Sequence, residues 1–376
     1  MNPYAKYSGN ELLNVEQVLL GLATDPVGDF ERAFAKKIGG KYAIAVNSGT
    51  SALHAALVAC NVRDRDVLTT ALAPAMVTFA IIHAGGRPIF CDVDAATHHI
   101  SRAEVESKLT VNTAAILGVS LHGLPIDWEP FLSLRESHTL YLIDDCAQAL
   151  GAKDIGKADI TCFSFEDKKH LTTGSEGGMI LTDNSDLATA ARKFAGLGYK
   201  HMTAEAGRTS LAAETYQNPE YERFDTIGLN YRMSRVQAAI GLGQLEYLDH
   251  IIARRRAVAR LYAESLVWVG VSPLPYIENS SYYTWPGAFL APAQAPTWLQ
   301  FYKLFKANGG DGFYAMPQVS YKEPALHKLF PDVSCPIAED LQRCLMLFKT
   351  NYRDLGEAER QATILRQTLQ QLGESK

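Results

Sequence analysis

Three short stretches of the chain place reactive side chains where backbone geometry lets them work. In SFEDKKHLTTGSEGG, residues 164–178, Lys168, Lys169 and His170 stand between a β-rich run and a loop whose glycines permit close backbone approach. A lysine so placed becomes a nucleophile when desolvation or neighbouring positive charge lowers its pKa, and pyridoxal phosphate is the usual cofactor that exploits such an amine through a Schiff base. In LIDDCAQAL, residues 142–150, Asp144 and Asp145 follow an apolar run, and a carboxylate buried there must find a cation or hydrogen-bond donors. A protonated pyridine nitrogen would suit Asp145, and Gln148, one helical turn on, could reach another edge of the same ring. In VNSGTSALHAAL, residues 46–57, a β-rich run delivers Asn47, Ser48, Gly49, Thr50 and Ser51 to a helix start, where free N–H groups and the helix dipole favour an anion such as a phosphate.

Each stretch also has a plainer reading. Ser and Thr commonly do no more than cap a helix. An acid pair after a strand more often caps the next helix or binds an arginine, and a lysine before a loop is usually solvated. The serine-glycine turn is not a Walker A loop, because GxxxxGK[ST] is absent. What favours chemistry is their order: phosphate-type turn, acid after a strand, serine plus lysine after another strand, then a helical stretch.

The elements that must position these groups follow from periodicity. Between residues 41 and 182, β-rich runs at 42–46, 67–72, 88–93, 114–119, 140–143, 160–165 and 179–182 alternate with helical stretches. That rhythm predicts an α/β fold with a mostly parallel sheet flanked by helices, whose ligand site lies at the carboxyl ends of strands. Residues 186–197 read as an amphipathic helix, and the polar stretch 199–224 as a mobile loop. Ser234 is the expected N-cap of one long helix over residues 234–266, with Val236, Ile240, Leu242, Leu245, Leu248 and Ile252 at near-helical spacing. Such a helix would join a large domain, residues 1–248, to a smaller α+β domain, residues 249–376, with strand-like YYTWPGAFLA, a helix at LQFYKLFKANGG and a closing helix over 357–372.

Bulk properties narrow the classes further. The 376 residues, 47% hydrophobic and 20% charged with a net charge of -5, describe a globular chain with no general electrostatic reason to bind nucleic acid or an anionic membrane. No apolar run approaches membrane-spanning length and the first residues do not form a signal sequence, so a cytoplasmic enzyme is expected. Cys60, Cys91, Cys146, Cys162, Cys335 and Cys344 are scattered without a CxxC pair, which points to buried free thiols and to no metal site.

The chain resembles the DegT/DnrJ/EryC1/StrS sugar aminotransferases over most of residues 10–350. The landmarks are NSGTSALHAAL, AGGRPIFCDVD, DDCAQALGA, FSFEDKKHLTTGSEGG and GLNYRMSRVQAAIGLGQLEYLD, specific together though not singly. The resemblance implies the type I, aspartate aminotransferase-like fold, pyridoxal 5'-phosphate, and transfer of an amino group, usually from glutamate, to a nucleotide-linked deoxysugar or related keto-sugar or cyclitol. It implies Lys169 as the Schiff-base lysine and proton carrier, Asp145 on the pyridine nitrogen, Gln148 near the ring hydroxyl, and Gly49, Thr50, Ser51 and Ser164 around the phosphate. Asn230 would reach the phosphate of a neighbouring subunit, making a homodimer with shared active sites. Arg232, Lys349 and Tyr321 are candidate substrate contacts or plain surface residues; either Lys168 or His170 could sit beside the cofactor, with a solvent-facing side chain the expected reading for Lys168.

Several places depart from the family pattern. Pro74 stands in TALAPAM where an aromatic residue commonly stacks on the cofactor ring, Glu166 stands where histidine is frequent, and TTGSEGG carries one extra residue. LMLFKTNYRD and NGGDGFYAMPQVSYKEPALH also differ, so the substrate is expected to differ with them. Two other outcomes are compatible with the fold. Relatives that dehydrate or deoxygenate the keto-sugar carry histidine in place of the lysine, and a non-catalytic cofactor-binding regulator would not require both Lys169 and Asp145.

Overall fold

The structure, a computed structural model, describes residues 7–205, 212–265, 271–273, 277–289 and 297–374. The seven β-rich runs become strands of one sheet: β1 (Tyr42–Val46), β2 (Asp66–Thr70), β3 (Arg87–Cys91), β4 (Thr113–Val119), β5 (Tyr141–Asp145), β6 (Ile160–Ser164) and β7 (Gly178–Thr182). Their order is β1-β7-β6-β5-β4-β2-β3. Strands β3, β2, β4, β5 and β6 run parallel, whereas β7 is antiparallel to both of its neighbours. Every residue of β2 and β4 is buried, as expected when helices cover both faces of a parallel sheet.

Strand alternation divides the core. In β1, Ile44 and Val46 face one cluster with Leu53, Ile81 and Leu187, whereas Ala43 and Ala45 face another with Phe30, Phe34 and Leu245. The helices Gly49–Ala59, Ala75–His83 and Ser185–Ala195 therefore cover one face, and Pro26–Ile38 and Arg235–Glu246 the other.

The expected single helix from Ser234 is two helices. Ser234 and Gln237 form a reciprocal capping box, the first helix ends at Glu246, and a second, Leu248–Ser265, begins after Tyr247, whose φ and ψ are -100° and 2°. The two halves bury their apolar faces in different cores. Leu245 packs under the large sheet, while Val258, Ala259 and Tyr262 pack with Trp285 and Phe348. An apolar periodicity that runs through residue 247 cannot register this change of partner.

A second sheet is entirely antiparallel: β8 (Val271–Pro273), β9 (Thr284–Phe289), β10 (Tyr314–Ala315) and β11 (Leu345–Lys349), in the order β10-β11-β9-β8. The expected helices at 299–310 and 357–372 are Trp298–Ala307 and Leu355–Glu374, and residues 290–291 of the strand-like run lie outside the described residues. The polar stretch after Tyr199 is tied at its ends, where the Tyr199 and Phe224 rings lie 4.7 Å apart and Lys200 N–H donates to the Arg223 carbonyl at 2.9 Å. It contains a short helix, Ala213–Gln217, and residues 206–211 lie outside the described residues. All six cysteines are free thiols, five of them buried.

Candidate active site

Strand ends create the site. The β1-to-helix turn and the ends of β5 and β6 open into a cavity of about 660 Å³, whose wall includes Ser48, Gly49, Thr50, Asp145, Gln148, Ser164 and Lys169. At the turn, Ser48 Oγ accepts from Ser51 N–H at 3.1 Å, capping the Gly49–Ala59 helix, and the Ser51 hydroxyl donates to Asn47 Oδ1 at 2.6 Å. Gly49 is required by proximity: a Cβ there would lie 2.7 Å from Ser164 Cβ. The Ser48 cap satisfies the Ser51 N–H, and Gly49 and Thr50 of the same turn line the cavity.

The paired acids separate because successive strand residues point to opposite faces. Asp144 is buried under the sheet, accepting from Ser120 Oγ at 2.8 Å and Trp128 Nε1 at 3.0 Å, and burial pushes its carboxyl up to about 6. Among the described residues neither an arginine nor a helix cap holds it. Asp145 faces the cavity. Among the described residues the hydrogen bond to its carboxylate comes from Ala147 N–H at 2.9 Å. Burial raises its pKa, opposed by that N–H and by the charge of Lys169. Gln148 Oε1 accepts from His122 N–H at 2.9 Å, which leaves its amide NH2 for a ligand.

Lys169 follows a tight turn in which its N–H donates to the Glu166 carbonyl at 2.9 Å. Its Nζ lies 4.6 Å from the centre of the Tyr283 ring. Burial lowers the pKa of this amine, Asp145 and Glu166 pull it back up, and Arg255 lowers it again. Lys168 is exposed at the cavity rim, with Nζ 5.9 Å from the Tyr314 ring. His170 turns away: its buried ring meets the Ser281 carbonyl through Nε2 at 3.1 Å, and it does not line the cavity.

The family profile of the DegT/DnrJ/EryC1/StrS aminotransferase family matches residues 9–361. The chain belongs to this family. It is 39% identical over 243 residues to a GDP-perosamine synthase of Escherichia coli O157:H7, covering 63% of this chain and 62% of the relative. It is 38% identical over 248 residues to a GDP-perosamine synthase of Caulobacter vibrioides, covering 64% and 62%. The chain thus spans about 62% of the length of these curated relatives. The X-ray structure of an aminotransferase from Psychrobacter cryohalolentis superposes with a TM-score of 0.87 over 98% of both chains at 25% identity. The fold is the aspartate aminotransferase-like, type I fold of pyridoxal-phosphate-dependent transferases.

Within the DegT/DnrJ/EryC1/StrS frame, the expected site residues divide by position. Gly49, Thr50, Asp145, Gln148, Ser164 and Lys169 share the cavity; Ser51 and Asn230 do not line it. The Ser51 hydroxyl is committed to the turn. Asn230 is exposed in a separate concavity with Arg232, whose Nε donates to Asn230 Oδ1 at 2.9 Å. Tyr321 is a core residue, 1% exposed, with its hydroxyl donating to Glu339 at 2.6 Å. Lys349 reaches the cavity wall and pairs with Asp311 at 2.7 Å. Pro74 lines the cavity.

Sequence reasoning missed Tyr283, Thr284 and His122, which also line the wall. Thr284 starts β9 in the second sheet and Tyr283 immediately precedes it, and SYYTWPG carries no local signal that it will cross to the first. His122 sits at φ 61° with its ring 5.6 Å from that of His98, and burial holds its pKa far below the usual range.

Proposed function

We propose that the chain is a pyridoxal-phosphate-dependent aminotransferase that carries an amino group from an amino acid, expected to be glutamate, to the keto group of a nucleotide-linked deoxysugar or a related keto-sugar or cyclitol. The observation that carries this reading is the juxtaposition, in one cavity, of the Lys169 amine on Tyr283, the buried Asp145 carboxylate and the start of the Gly49–Ala59 helix. These three fit an aldehyde, a protonated ring nitrogen and a phosphate. A Cβ at residue 49 would meet Ser164 at 2.7 Å, so the helix start and the end of β6 can approach this closely only with glycine there. The GDP-perosamine synthases among the relatives support a nucleotide-linked sugar as acceptor.

When bound, pyridoxal phosphate supplies an aldehyde that captures amines and a ring that accepts electrons. The residues supply the rest. The N–H groups of the Gly49–Ala59 first turn, with Ser164 beside them, bind the phosphate. Asp145 would hold a protonated ring nitrogen, its carboxylate favoured as partner by the low local dielectric. Gln148, its carbonyl occupied by His122, offers NH2 to the ring hydroxyl. Lys169, whose amine burial shifts toward the free base, would hold and move the proton at Nζ once the cofactor is bound. Tyr283 limits where Nζ can move.

His170 does not offer a dehydratase's histidine, since it points out of the cavity toward Ser281. A homodimer with shared sites is supported by Asn230, which is exposed outside the cavity on a face where a second copy could use it. A large domain of residues 1–248 and a small one of 249–376 are supported by the helix break at Tyr247 and the two separate sheets.

The test is direct. Incubation with pyridoxal phosphate followed by borohydride should leave the cofactor mass on the peptide containing Lys169, and Lys169→Ala should abolish that label. In a separate, unreduced sample glutamate should convert the bound cofactor, and a screen of keto-sugar nucleotides and keto-cyclitols should yield an aminated product. Label at another lysine, or water loss without amination, overturns the proposal.

A further inference from the structure

Arg255 lies in the Leu248–Ser265 helix and is 3% exposed. Among the described residues no carboxylate forms an ion pair with it. Its Nη1 donates instead to the Tyr283 carbonyl and to Thr350 Oγ1, both at 3.0 Å, and its Nη2 donates to the carbonyls of Lys168 at 3.2 Å and Lys169 at 3.4 Å. Thr350 in turn donates to the Tyr282 carbonyl at 2.5 Å. One side chain therefore clasps the lysine turn, the residues entering β9 and the residue after β11. Its guanidinium is also 5.9 Å from the centre of the Tyr283 ring over which Lys169 Nζ sits. Carbonyl dipoles satisfy hydrogen bonds but offset a buried charge only in part. An apolar side chain would fill this place at lower desolvation cost, so the charge invites a functional reading.

We propose that Arg255 is a positioning residue: it fixes the Lys169 peptide so that Nζ lies on Tyr283, and it sets an uncompensated positive charge behind that amine. The inference rests on the reading of Lys169 given above. The groups acting on the amine are Asp145 at the end of β5, Glu166 in its own turn, Glu176 in the following loop, Tyr283 before β9 and Arg255 from the helix. The carboxylates favour the ammonium; Arg255 opposes them, and burial pulls its own pKa only down to about 10, so it remains charged at neutral pH. It thereby shifts Lys169 toward the free base that bonds a carbonyl and accepts protons.

The experiment titrates Lys169 without cofactor. Apo protein is treated with trinitrobenzenesulfonate from pH 6 to 10 and labelling at each lysine is read by peptide mass spectrometry, with the exposed Lys168 as internal reference. Arg255→Met should raise the Lys169 midpoint by about one pH unit, a roughly tenfold slower labelling near neutrality, with Lys168 unmoved. Arg255→Lys should hold the midpoint within about 0.3 unit, since the charge stays, while kcat falls because one ammonium cannot reach the Lys168 and Lys169 carbonyls together with the Tyr283 carbonyl and the Thr350 hydroxyl. An unchanged midpoint in Arg255→Met, or one raised by a full unit in Arg255→Lys, overturns the inference. If Arg255→Met does not fold, Arg255→Lys decides alone. Absence of borohydride-fixed cofactor on Lys169 in the unmodified chain would instead sink the aminotransferase reading, and the apo midpoints would still decide the role of Arg255.

Discussion

Gly49→Ala tests the cradle by geometry alone. The added Cβ would stand 2.7 Å from Ser164 Cβ and 3.3 Å from Ser164 Cα, where carbon atoms prefer roughly 3.5–4.0 Å. The nearer partner cannot rotate away, because Ser164 closes β6 and a Cβ moves only with its backbone. Relief requires the helix start and the strand end to part by several tenths of an ångström. Overpacking of this kind costs about 1–3 kcal/mol, which for a chain of this size lowers Tm by roughly 1–4 °C. The same separation misaligns the N–H groups from a phosphate, and the affinity for pyridoxal phosphate should fall about tenfold, the equivalent of about 1.4 kcal/mol. The assay is a double-mutant cycle on apo Tm and cofactor titration by tryptophan fluorescence. Ser164→Gly deletes the clashing atom, so it should cost less in the Gly49→Ala background than alone, with a coupling of about 1 kcal/mol or more. Ser164→Ala keeps Cβ and should show no such rescue. Additive Gly49→Ala and Ser164→Gly effects, or a neutral Gly49→Ala, would refute the packing argument.

Asp144 should leave a signature in the pH dependence of stability. Its carboxyl lies at about 6 in the folded chain against an ordinary 3.8, so the folded state holds a proton the unfolded state has lost, and stability falls as pH rises through that window by about 3 kcal/mol. His98 and His99, held near 4 by burial, act in the opposite sense in parent and variant alike, so the difference between parent and Asp144→Asn isolates the carboxyl. Apo urea midpoints from pH 4 to 7 should show that difference; parallel curves would contradict it. Tyr283→Leu removes the ring facing Lys169 Nζ. Loss of about 0.5–2 kcal/mol of cation–aromatic attraction should lower the Lys169 labelling midpoint by about 0.4–1.5 pH units, while Tyr283→Phe keeps it. A midpoint that does not move in Tyr283→Leu would show that the ring only packs there.

Much of this was legible from local pattern. All seven strands of the large sheet lie where apolar β-rich runs predicted them, because strand burial and turn chemistry act over a few residues. Ser48 as a helix cap, Ser234 as the start of a helix and the buried free cysteines follow from residue type and near neighbours. The spacing from Ser164 to Lys169, with the family resemblance, singled out one of two adjacent lysines, and the structure places that one in the cavity and its neighbour at the rim.

Other features belong to tertiary structure. Which of Asp144 and Asp145 faces the cavity depends on strand register against Trp128 and Ser120, and the break at Tyr247 depends on two cores claiming successive halves of one periodic stretch. Ser51 matched the phosphate turn by type, yet its hydroxyl is spent on Asn47. Tyr283 and Arg255 reach the lysine turn across a long sequence separation, 86 residues in the Arg255–Lys169 bond. The chain alone determined the elements and the reactive residue types, since those arise from contacts between near neighbours. The fold decided what surrounds the lysine, since that environment is assembled from segments whose only relation is that two sheets pack together.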